Sequence, residues 1–71
     1  MNREKFKKLV KEKTGSGALI SETMRVLSCG KNTACDKLNG NRFFRADEIE
    51  KFRTEYGMTD SEVIECFIEG G

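Results

Sequence analysis

The sequence predicts an all-α domain of five short helices around a single core. Three observations predict it. The 71-residue chain has no Pro and is rich in Lys and Glu, a composition that favours helix. Its apolar residues recur at three- and four-residue spacings and nowhere alternate as in a strand. Glycines fall between these periodic stretches and cut the chain into five segments. The length leaves room for one domain, residues 1–71, and no second core.

Helix 1 is expected over residues 3–13, with Phe6, Leu9 and Val10 on one face. Thr14-Gly15-Ser16-Gly17 ends it. Helix 2 is expected over 18–27, with Ile20, Met24 and Leu27 as the row that meets the core. Ser28-Cys29-Gly30 breaks the chain. Helix 3 follows over 31–38 and buries only Ala34 and Leu38. Asn39-Gly40 is a strong stop, because both residues tolerate the left-handed conformation. Helix 4 is expected over 46–56, with Ile49, Phe52 and Tyr56 inward and Gly57 at its end. Helix 5 begins at the capping box Thr59-Asp60-Ser61-Glu62 and carries Val63, Ile64, Phe67 and Ile68.

Composition excludes several classes of function. No apolar run approaches the roughly 20 residues of a spanning helix, and no apolar signal core follows Met1. A cytoplasmic location, with no membrane association, is the expectation. The chain has no His, which removes the commonest general acid-base group and the commonest metal ligand. Cys29, Cys35 and Cys66 form neither a disulfide framework nor a four-ligand zinc site. They read as small hydrophobes in a reducing compartment. No catalytic residue, metal or cofactor is expected, and an enzyme is the least expected class.

The net charge of +1 conceals an asymmetry. Residues 1–13 carry a net +4, residues 24–45 another +4, and residues 46–71 a net −6. A basic front and an acidic back suggest a polyanionic partner on one side only. The expected potential is positive around helix 3 and the 39–45 turn. It is negative over helices 4 and 5, where Glu62, Glu65 and Glu69 share the last helix.

Helices 2 and 3, about residues 18–39, have the layout of a helix-turn-helix. Such a second helix buries one narrow edge to fix its angle and keeps its other face polar to enter the major groove. With Ala34 and Leu38 inward, Asn32 and Asp36 point outward, flanked by Thr33 and Cys35. Lys31 occupies the first turn. Lys31, Asn32 and Thr33 are suited to base edges, and Asp36 to accepting from cytosine. Asn41, Arg42 and Arg45 in the following turn, with Arg25 and Lys37, are suited to phosphates. A surface helix between two glycines is the plainer alternative.

The stretch from Lys31 to Gly40, ending Leu38-Asn39-Gly40, resembles the recognition helix of Cro- and repressor-type (XRE-like) proteins of the small phage and mobile-element branch. Asn41-Arg42-Phe43-Phe44 and Asp47-Glu48-Ile49 resemble that branch's basic turn and next helix start. Gly57-Met58-Thr59-Asp60, Glu62-Val63-Ile64 and Phe67 resemble its closing helix. The resemblance implies a lambda-repressor-like DNA-binding domain, acting as a homodimer on double-stranded DNA. Four positions depart from the family pattern. Met24 stands where the family has Ala and Ser28 where it has Gly at the turn. Gly30 and Arg45 stand where it caps helices 3 and 4 with Ser or Thr. A residue as bulky as Met24 implies either a more open pair of helices or a shifted register in helix 2.

The leading expectation is a small sequence-specific transcriptional regulator, with Val63, Phe67 and Ile68 of helix 5 in a dimer interface. The alternative is a protein-interaction module of a mobile element that keeps this fold to inhibit another protein. Its acidic last third would dock on a basic surface, and Asp36 suits it better. Architectural, excisionase-like DNA binding is a weaker third reading.

Overall fold

The computed structural model describes residues 1–68, and every regular element among them is helical. Helix α1 spans Arg3–Thr14, α2 Leu19–Leu27, α3 Lys31–Leu38, α4 Ala46–Tyr56 and α5 Asp60–Val63. The last continues as a π-helical turn, Ile64–Ile68.

Each boundary has a local cause. Asn2 caps α1 by accepting from the Lys5 N–H at 3.1 Å, and Gly15 closes it at φ 76°. Thr14 joins the helix, one residue beyond expectation, and its hydroxyl donates to the Val10 carbonyl at 2.8 Å. Helix α2 starts one residue late, behind Ala18, which offers no side-chain cap. Glu48 caps α4 from inside, its carboxylate accepting from the Arg45 N–H at 2.8 Å. Arg45 itself supplies no side-chain cap, so only the glutamate half of a capping box is made. The expected capping box of α5 is present. The Thr59 hydroxyl accepts from the Glu62 N–H at 3.2 Å, and the Glu62 carboxylate from the Thr59 N–H at 2.9 Å.

The core is largely aromatic. Phe6 of α1 meets Phe52 of α4 and Phe67 of the last turn, each with ring centroids 5.1 Å apart. Phe44, between α3 and α4, closes the cluster on Phe52 and Phe67. Leu9, Val10, Leu19, Leu27, Leu38, Tyr56, Met58 and Cys66 complete it. Each large side chain taken fully out of water contributes about 1.5–3 kcal/mol. Ala34 and Leu38 are buried as expected, and so are Phe6, Leu9, Val10, Phe52 and Tyr56.

The inward row of α2 differs from expectation. It is Leu19, Thr23 and Leu27, while Ile20 and Met24 are half-buried at its sides. The helix is rotated so that small Thr23, rather than Met24, occupies the fully buried place. A short side chain there admits close packing, and the bulk of Met24 is turned aside. This rotation leaves the Thr23 hydroxyl buried with no hydrogen-bond partner.

Two ties hold the ends. The Asn2 N–H donates to the Cys66 carbonyl at 2.7 Å, and Arg3 Nη1 donates to Asn39 Oδ1 at 2.6 Å. The second brings the start of α1 to the end of α3. Among the described residues no helix is long and apolar enough to cross a membrane.

Candidate nucleic-acid interface

The link between α2 and α3 turns at Ser28, which adopts φ 52°, ψ 45°. This is left-handed backbone that a residue with a Cβ rarely enters. The Ser28 N–H still donates to the Met24 carbonyl and so does that of Cys29, at 3.2 Å for the latter. Gly30 then caps α3 in extended conformation. Ala34, Lys37 and Leu38 form the buried edge of α3. Lys31 and Asn32 are exposed, and Thr33, Cys35 and Asp36 are half-buried. Of the four residues expected to read bases, Asn32 and Asp36 share the outer face of α3, while Lys31 is exposed in its first turn and Thr33 is half-buried at its side.

The expected phosphate contacts divide. Asn41, Arg42 and Arg45 are exposed on the turn that leaves α3. Two of them have acidic neighbours. Arg42 Nε lies 3.7 Å from Asp36 Oδ2, and Arg45 Nε lies 3.5 Å from Asp47 Oδ1. Both pairs are long and solvated, so neither holds its arginine firmly.

Lys37 and Arg25 are committed elsewhere. Lys37 is 7% exposed, and its Nζ donates to Glu48 Oε1 at 2.7 Å and to the Phe43 carbonyl at 3.3 Å. A buried ammonium held by a carboxylate cannot reach a phosphate without unpacking. Its assignment to phosphate binding is corrected: Lys37 braces the exit turn against α4. Arg25 spans Glu22 of its own helix, at 2.8 Å, and Glu55 of α4, at 2.9 Å. It clamps α2 to α4. The Tyr56 hydroxyl donates to the same Glu22 carboxylate at 2.8 Å. The hydrogen bond from Arg25, reinforced by that from Tyr56, holds the Glu22 carboxyl below its ordinary pKa. Burial, together with the Glu22 contact, pushes the Tyr56 phenol upward.

The expected positive field is accordingly reduced. Between residues 25 and 45, Arg25, Lys37, Arg42 and Arg45 each have a carboxylate within 4 Å, and Lys31 has none among the described residues. Arg3, which local sequence did not single out, adds a cation beside the exit of α3 through its bond to Asn39. Their separation of 36 positions leaves no local signal for that approach.

The surface expected between two copies is also redrawn. Phe67, on the π-helical turn, packs on Phe6, Phe44 and Phe52 of its own chain and is half-buried. Val63 is half-buried, and Ile64 and Ile68 are 40% and 63% exposed. Glu69, the third acid expected along the last helix, lies outside the described residues.

An open groove of about 540 Å³ between α2 and α4 is lined by Arg25, Val26, Asp47, Glu50, Lys51 and Glu55, mixing both charges. A second hollow of about 340 Å³ brings Met1 against Gly40, Arg42, Phe43 and Phe44. Among the described residues no three His, Cys, Asp or Glu side chains converge as a metal site requires. Cys66 is buried, and burial followed by the charges of Glu62 and Glu65 pushes its thiol pKa up, away from reactivity. No family model, curated protein or solved structure matches the chain.

Proposed function

We propose that this protein is a small sequence-specific DNA-binding regulator of the XRE-like helix-turn-helix kind, with α3 as the helix that enters the major groove. One observation carries the reading. Helix α3 is anchored on one edge by Ala34, Lys37 and Leu38. Asn32 lies on the opposite face and Lys31 is exposed in the first turn, neither with a side-chain hydrogen bond among the described residues. A rigid helix with an uncommitted polar face is what base reading requires. Thr33 and Asp36 flank that face, and Asn41, Arg42, Arg45 and Arg3 are the phosphate contacts. Arg25 and Lys37 act by holding the scaffold. The regulator is a homodimer in which Ile64 and Ile68, with Val63 at the margin, meet a second copy. It works in the cytoplasm of a phage or mobile-element host and catalyses nothing.

Selection from a pool of random duplexes tests the reading. The parent protein should enrich a two-fold-related sequence, and its affinity should fall steeply with salt. Asn32→Ala should relax preference at one base position per half-site, by about 1–3 kcal/mol.

The second reading, a protein-interaction module, is favoured by the pairing of Arg25, Lys37, Arg42 and Arg45 with carboxylates. Its partner would be a protein with a basic surface, met by the acids of α4 and α5. Failure to retard any duplex at low salt would decide for it.

A further inference from the structure

Phe6, Phe44, Phe52 and Phe67 pack together in the core. Phe43 is 93% exposed. Its backbone is held on both sides, so the ring cannot simply fold inward. Before it, the N–H groups of Asn41 and Arg42 donate to the Asp36 carbonyl at 2.8 and 3.2 Å. The Phe43 carbonyl itself accepts from the buried Lys37 ammonium at 3.3 Å. After it, the Phe44 ring is fixed between Phe52 and Phe67. The Phe43 backbone is thus fixed, and its apolar ring stands in solvent.

Its surroundings are cationic. Arg42 and Arg45 flank it, Arg3 reaches the same exit turn through Asn39, and no acidic residue occurs from 37 to 46. Of the nearby acids, Glu48 is neutralised by the buried Lys37 ammonium at 2.7 Å, and Asp36 and Asp47 touch Arg42 and Arg45 only at 3.7 and 3.5 Å between exposed side chains. Such contacts exchange readily for a phosphate. An apolar ring among cations matches a polyanion that also carries apolar faces. Nucleic acid is that polymer, with a π face on every base between its phosphates. Helix α3 has eight residues and is about 12 Å long, close to the roughly 12 Å width of the major groove. With Lys31 and Asn32 on base edges, the exit turn falls at the flanking backbone.

We infer that Phe43 is a further DNA-contacting residue, an apolar wedge set against a base beside the sequence read by α3, with Arg42 and Arg45 on the adjoining phosphates. The inference rests on the DNA-binding reading above. It gives Phe43 affinity without charge, which separates it from the arginines.

The test titrates the parent, Phe43→Ala, Phe43→Trp and Asn32→Ala against a selected duplex and a scrambled one over a range of salt. The duplex carries 2-aminopurine at steps flanking the selected sequence. Phe43→Ala should bind about tenfold or more weakly at every salt concentration, with an unchanged salt slope. It should also lose the 2-aminopurine signal of an unstacked base, and Phe43→Trp should restore both. Its melting temperature should match the parent, since the ring is 93% exposed. Unchanged affinity for Phe43→Ala, while Asn32→Ala loses discrimination, would overturn the wedge and leave the DNA reading standing. A changed salt slope would overturn it too, by showing that the substitution acts through displaced arginines. So would a shift in sedimentation of the free protein, which would assign the ring to a contact between copies. If the parent retards no duplex at low salt, the reading and the inference fall together.

Discussion

The Lys37 ammonium lies 2.7 Å from the Glu48 carboxylate, with side chains only 8% and 15% exposed. The pair joins α3 to the first turn of α4, and each member has a second duty. Lys37 also holds the Phe43 carbonyl, and Glu48 also caps α4 through the Arg45 N–H. Removing either charge therefore disturbs the exit turn as well as the core. Lys37→Met should destabilise the domain by about 3 kcal/mol, because it leaves a carboxylate with little solvent and no counter-charge. Urea titration measures it. A loss below about 0.5 kcal/mol would mean the pair is solvated and incidental.

Acid should unfold the protein through the same group. Burial raises the Glu48 pKa, but the Arg45 N–H and the bond and charge of Lys37 outweigh it and leave the pKa lowered. Glu22 is lowered as well, chiefly by Arg25. A carboxyl with a depressed folded pKa contributes stability that is complete above its unfolded pKa and lost as pH falls through the folded value. Stability should thus be level near neutrality and decline below the ordinary carboxylate range, about pH 4.5. Glu48→Gln should lower stability at neutral pH and flatten that decline. An unchanged acid limb in this variant would show that other groups govern it.

Thr23 is fully buried and its hydroxyl has no partner. Valine has the same shape and no hydroxyl to desolvate. Thr23→Val should stabilise the domain by about 1 kcal/mol, seen as a higher midpoint in urea with unchanged slope. A loss of stability would place an ordered water or an unseen acceptor beside the hydroxyl.

Ser28 turns the chain between α2 and α3 at φ 52°. Glycine enters this region without steric cost, so Ser28→Gly should gain about 0.5–1 kcal/mol. Ser28→Val should lose more than that, because a β-branched residue is poorly accommodated there. Thermal melts of the two variants on either side of the parent would bear this out, and a common shift in one direction would refute it.

Asp36 shares the outer face of α3 with Asn32 and touches Arg42 at 3.7 Å. Asp36→Asn removes a charge that repels phosphate and releases Arg42. Affinity for scrambled duplex should rise, while discrimination in favour of the selected duplex falls. Folding stability should barely move, since the pair is exposed. If affinity for both duplexes is unchanged, α3 is not the reading helix.

The last turn separates core from contact between copies. Phe67→Ala should cost about 2–3 kcal/mol in folding, less than a fully buried Phe because the ring is half-buried. Ile68→Lys should leave stability nearly intact and convert a dimer to a monomer in sedimentation. A dimer that survives Ile68→Lys would exclude this face.

The helical class, the five elements and nearly all their ends were legible in the amino-acid order. These depend on local physics: apolar spacing, Gly15 and Gly57 in left-handed turns, the Thr59-Glu62 box. That order also determined that Ala34 and Leu38 face inward, because the few apolar residues of α3 leave no other edge to bury. The remaining features arise from contacts between distant segments. The rotation of α2 that buries Thr23 in place of Met24 depends on how closely neighbouring helices approach. The fate of each cation depends on which acid folding brings near: Glu55 lies 30 positions from Arg25, and Glu48 lies 11 from Lys37. Phe43 and Phe44 are adjacent and chemically identical, and nothing local says which one is buried. Phe44 packs against Phe52 and Phe67 at the edge of the core, while the Phe43 carbonyl binds Lys37 and its ring stands in solvent. Periodicity reports which face of a helix is apolar, but pairings between distant charges exist only once the chain has closed on itself.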